Sequence, residues 1–114
     1  MGGIAEVDRS IVPLIVESFK DKDFAVREAA AKAMASLGTD GIPILAKLLK
    51  DKDKNVRLTA LKGLFNVGPD APQTVPPVIA LALKDDDYGV RCVASDYLSK
   101  SGYAHRRVEP GTPK

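Results

Sequence analysis

From Ile11 onward the chain alternates apolar stripes with charged turns, and the alternation returns three times. With Arg27, Arg57 and Arg91 in register, the copies read VPLIVESFKDKDFAVREAAAKAMASLG, IPILAKLLKDKDKNVRLTALKGLFNVG and PPVIALALKDDDYGVRCVASDYLSKSG. In the first half of each, apolar residues stand at Leu14, Ile15 and Phe19, at Ile44, Leu45, Leu48 and Leu49, and at Val78, Ile79 and Leu83. Spacing of i, i+1, i+4, i+5 lays a stripe along one side of a helix. The second half repeats the period with Val26, Ala30, Ala33, Met34 and Leu37, echoed by Val56, Ala60, Gly63, Leu64 and Val67. Each copy therefore predicts two helices joined by the acidic turn.

The punctuation agrees. Pro13, Pro43 and Pro77 precede the aligned arginines by the same interval, and a proline in a first helical turn loses no intrahelical hydrogen bond. Asp23, Asp53 and Asp87 fall where a carboxylate can accept from the free N–H groups that open the second helix. Gly38, Gly68 and Gly102 close that helix, where a left-handed residue is favoured. One hairpin cannot bury its own stripe, so neighbours must stack and share a core. Ala30, Ala60 and Ala94 share one slot, with Ala33 and Gly63 one turn on, and such small residues let second helices approach closely. The expected organisation is an N-terminal segment 1–10, three hairpins at 11–38, 42–68 and 75–102, and a flexible tail 103–114 without apolar period.

The recurring order of Asp, a second Asp two residues on, Val-Arg, small residues, then Leu and Gly resembles the HEAT repeat, and most closely the short variety named after phycobilisome lyases. The resemblance spans about residues 11 to 102. It implies an all-α fold, a right-handed α-α superhelix whose second helices line a concave binding side. It also implies a ladder between neighbouring copies made by Asp21, Asp51 and Asp85 with Arg27, Arg57 and Arg91, with a structural role.

Composition narrows the field. The 114 residues suit one domain with a modest core, and at 45% apolar and 28% charged the chain is neither disordered nor membrane-spanning by composition. No apolar run reaches the roughly 20 residues of a membrane helix, and MGGIAEVDRS lacks a signal-peptide profile, so a cytoplasmic location is expected. Trp is absent and aromatics are 5%, leaving the core to aliphatic residues and Ala. The net charge of +2 is too small to argue for nucleic acid.

Convergent reactive groups are scarce. His105 is the only histidine, which excludes a catalytic triad, a zinc pair and paired iron ligands. Cys92, the only cysteine, has no histidine partner and reads as a buried or half-buried structural thiol. Asp85, Asp86 and Asp87 lack the spacing of a calcium loop. Neither enzyme chemistry, nor a cofactor, nor a bound metal is expected.

On such a scaffold function lies in departures from the repeat. Phe65 occupies a slot that holds Ala35 and Ser99 elsewhere; it either packs into the stack or is displayed as an interface anchor. Leu58 and Lys62 join it, and Leu58, Lys62, Phe65 and Asn66 form a candidate binding patch for a protein or peptide. The second linker, GPDAPQTVPP, is longer than the first and proline-rich; it reads as a stiff spacer rather than a binding loop. The third copy is worn: Ser101 replaces the expected aliphatic, Tyr97 fills a slot that is small elsewhere, and Ser95, Asp96, Ser99 and Lys100 make its second helix polar, so residues 78–102 read as a C-terminal cap. Ile4 and Val7 either fold over the first helix or meet a preceding repeat, so the chain is a small free-standing protein or part of a longer repeat protein. The preferred function is a non-enzymatic interaction scaffold. A lyase-like or accessory protein that positions a prosthetic group comes second. Nucleic-acid binding, suggested by Lys47, Lys50, Lys52, Lys54 and Lys62, comes third.

Overall fold

The acidic turns and prolines divide the chain into six α-helices in this computed structural model, which describes residues 9–101 and has no strand among them. The first hairpin pairs α1 (Val12–Ser18) with α2 (Phe24–Ala35), and the second pairs α3 (Ile42–Leu48) with α4 (Lys54–Val67). The third pairs α5 (Val75–Ala80), prolonged by a 3-10 turn over Leu81–Lys84, with α6 (Tyr88–Ser101). Within each hairpin the two helices pack together, and the second helices form a row in which α4 lies between α2 and α6. The N-terminal segment 1–10 up to Asp8, with Ile4 and Val7, and the tail from Gly102 onward, with His105, lie outside the described residues.

The turns are tied by two aspartates acting in sequence. Asp21, Asp51 and Asp85 each accept the backbone N–H of the residue two positions on, at 2.8, 3.0 and 2.9 Å. The donors are Asp23, Asp53 and Asp87, whose own carboxylates accept N–H groups of the next helix's first turn from Ala25, Asn55 and Val90. Orphan donors at the helix start are thus met by local carboxylates, so the charge of the turn is largely structural. The Val90 N–H, more than neighbouring Lys54, holds the Asp87 carboxyl below its ordinary value.

The helix stops differ from one another. Gly38 adopts φ +64°, as expected of a left-handed stop. Gly68 does not: it is right-handed at φ −43° and ψ −48°, and opens a 3-10 turn with Pro69 and Asp70. The chain thus runs from α4 straight into the proline-rich linker without reversing its hand.

The core runs the length of the array. Phe19, Met34, Leu45, Val56, Leu61, Leu64, Val75, Ile79 and Val90 are fully buried, and Ala30, Ala60 and Ala94 are buried in the row of second helices. Within the second hairpin α3 and α4 meet closely at Gly63, where a Cβ would stand 2.8 Å from a methyl of buried Leu45, and the same Cβ would lie 3.5 Å from the Ala31 carbonyl oxygen of the first hairpin. Ala60 is equally enclosed, and Ala60→Leu is expected to cost about 2 kcal/mol by overpacking, read as a lower urea midpoint at unchanged slope. Leu14 and Leu83, expected on the buried stripes, are 67% and 41% exposed. They belong to the first and third hairpins, each of which has a described neighbour on one side only.

Candidate binding face on the second helices

Helix α4 is a two-sided wall. Lys54, Arg57 and Phe65, spaced three and eight residues apart, all reach the third hairpin, whereas Lys62 and Gly63 meet the first. Arg57 donates from Nε and Nη2 to the two carboxylate oxygens of Asp85, at 2.9 and 3.2 Å, with both side chains 15% exposed or less. Its Nη1 donates to the Asp51 carbonyl at 2.8 Å. One guanidinium therefore joins the turn of its own hairpin to the turn of the next, with Lys54 and Asp87 3.7 Å apart beside it.

The equivalent Arg27–Asp51 rung is not formed. Arg27 donates to the Asp21 carbonyl at 2.8 Å and lies over the Phe24 ring, 5.8 Å from its centroid, with no described carboxylate in ion-pair range. Where the second hairpin places Lys54 to reach the following turn, the first has apolar Phe24, and Arg27 settles on that ring instead. Arg91 donates to the carbonyls of Asp85 and Asp86 and lies 5.7 Å from the Tyr88 ring centroid.

Leu58 and Lys62 line a cavity of about 260 Å³ that takes walls from all three second helices: Phe24, Arg27 and Ala31 on α2, Leu58 on α4, Val93 and Tyr97 on α6. Leu58 is half-buried there. The Lys62 ammonium is already engaged, donating to Glu28 across the α2–α4 seam at 2.7 Å. That hydrogen bond lowers the Glu28 carboxyl below its ordinary value and raises the Lys62 ammonium above its own, each aided by the opposite charge. The lowered carboxyl contributes stability above the ordinary carboxyl range, which is lost as pH falls through the depressed value. The raised ammonium contributes below the ordinary lysine range, and its share is lost as pH rises through the raised value. The melting-temperature gap between wild type and Glu28→Gln is therefore expected to be constant near neutrality and to close in acid. It is expected to be small, because both groups are partly solvated.

Phe65 and Asn66 belong to a different hollow. Phe65 is half-buried and stacks on Tyr97, with ring centroids 4.3 Å apart and planes at 16°. With Asn66, Pro69, Pro72, Pro76 and Lys100 it lines a second cavity, of about 440 Å³. The four patch residues are thus divided between two cavities, and the Phe65–Tyr97 stack joins them, Tyr97 facing the first and Phe65 the second. The linker read as a spacer also walls a cavity. Cys92, expected to be buried or half-buried, is exposed on α6, because its slot also holds Glu28 and Leu58 on the face where the cavity opens. Sequence reasoning missed Glu28 and Phe24 as cavity residues and took Tyr97 for wear in a cap. The available signal was that Phe65 and Tyr97 are each an aromatic in a slot otherwise small, on neighbouring copies.

Paired helices stacked with their second members in a row define a helical-repeat array, with a face built from one helix of each unit. A family model described as HEAT repeats matches residues 2–53 and again 42–109. The two matches together span most of the chain, which belongs to the HEAT-repeat family. No curated protein matches it. Among the described residues no group of three or more His, Cys, Asp or Glu is placed to hold a metal ion, and no helix is long and apolar enough to cross a membrane.

Proposed function

We propose that this protein is a non-catalytic interaction module that binds a protein or peptide along the face of α2, α4 and α6. The observation that carries the reading is the cavity lined jointly by those three helices, with half-buried Leu58 in its wall. A site assembled from consecutive repeats is sensitive to their spacing, and it offers an apolar floor with a charged rim, the composition of an interface anchor pocket. HEAT repeats commonly mediate contacts between proteins, which supports the same reading.

Panning a random peptide display library against the intact protein tests it. Enriched peptides are expected to lose about tenfold or more in affinity on Leu58→Asp, with the helical circular-dichroism signal retained. Peptides that bind equally well to that variant would place binding elsewhere.

A further inference from the structure

We propose that Arg27 is a carboxylate receptor at the rim of the α2–α4–α6 cavity, and that the partner is an acidic peptide carrying an aliphatic or aromatic residue beside an Asp or Glu. The inference rests on the reading of that cavity as a peptide site.

Two arginines of one repeat position differ in what they hold. Arg57 uses Nη1 for the carbonyl of its own turn, and Nε with Nη2 for a bidentate carboxylate, that of Asp85. Arg27 is anchored the same way, Nη1 donating to the Asp21 carbonyl at 2.8 Å, and is further held over the Phe24 ring. Its Nε and Nη2 edge has no described carboxylate: Asp51, which holds the place that Asp85 holds for Arg57, accepts the Asp53 N–H and is outside ion-pair range of Arg27. The same edge belongs to a residue that lines the cavity, with Leu58, Val93 and Tyr97 as apolar wall. A guanidinium with one nitrogen fixed and two free donors presents the planar fork that carboxylates accept in bidentate fashion.

Charge around the cavity favours an anion. Arg27, Lys62 and nearby Lys32 surround one carboxylate, Glu28, which Lys62 already neutralises. Phe24 is 64% exposed and extends the apolar floor outward beneath Arg27. An acidic side chain on Arg27 places the next residue of an extended ligand over that floor.

The test is the same panning of random peptides on the intact protein, followed by affinity measurement of the enriched peptides on Arg27→Gln and Arg27→Lys. Expected is enrichment of Asp or Glu next to an aliphatic or aromatic residue, and a loss of about tenfold or more on Arg27→Gln. Arg27→Lys, which keeps the charge and can still reach the Asp21 carbonyl, is expected to recover only part of it, since it lacks the fork. Arg27→Glu is expected to turn the selection towards Lys and Arg. Peptides enriched at the cavity without acidic preference, or acidic peptides indifferent to Arg27→Gln, would overturn the receptor role and leave the peptide site standing. No enrichment above background for any peptide class would remove the site and the receptor together.

Discussion

Replacing Arg57 by Ala is expected to lower unfolding free energy by about 3 kcal/mol, more than most single surface changes in a chain of this size. The side chains of Arg57 and Asp85 are 15% and 10% exposed, so the deletion leaves a largely desolvated carboxylate without its counter-charge. The Asp51 carbonyl also loses a donor. Asp85→Asn should cost less, because the amide oxygen can still accept the Asp87 N–H that closes the turn. Urea titration of both variants and the double variant gives the coupling energy. A coupling near zero would mean that water replaces the rung without loss. Since the rung joins turns of neighbouring hairpins, the loss should appear first as exchange of amide hydrogens in the third hairpin.

Phe65→Ala is expected to cost about 3 kcal/mol, the low end for a large aromatic because the ring is only half-buried. The stack on Tyr97 should contribute about 1 kcal/mol of this as a coupling in the Phe65→Ala, Tyr97→Ala cycle. Phe65→Leu, which keeps apolar area but not the flat face, isolates the geometry of the stack. If Phe65→Ala melts like wild type, the ring adds nothing to the α4–α6 seam.

The repeat was legible because its punctuation has local causes. Pro13 and Pro43 in first turns, Asp23 and Asp53 as caps, and Gly38 at its stop each answer to their own backbone, and backbone chemistry can be read from a few neighbouring residues. Gly68 was misread because α4 runs on into a 3-10 turn there, where Gly38 instead takes the left-handed stop. The face of the second helices was legible only in part. Periodicity put Leu58 and Lys62 on one side of α4, but the Lys62–Glu28 bond crosses 34 residues of sequence and the Phe65–Tyr97 stack crosses a linker of unequal length. Register between hairpins is set by how closely alanines and Gly63 let helices approach, a sum over many contacts that no single residue announces. Identical Arg positions likewise gave one rung, to Asp85, and one open guanidinium, which lies over Phe24.

The second and third hairpins are joined unevenly. Along the acidic turns Arg57 and Lys54 staple them, while along the opposite edge Pro69, Pro72 and Pro76 stand around a hollow of about 440 Å³. A pair of plates riveted on one side and gapped on the other opens like a fan about the rivets. Any splaying of these two hairpins would therefore pivot at the turns, widening the proline-lined gap most and the turn edge least.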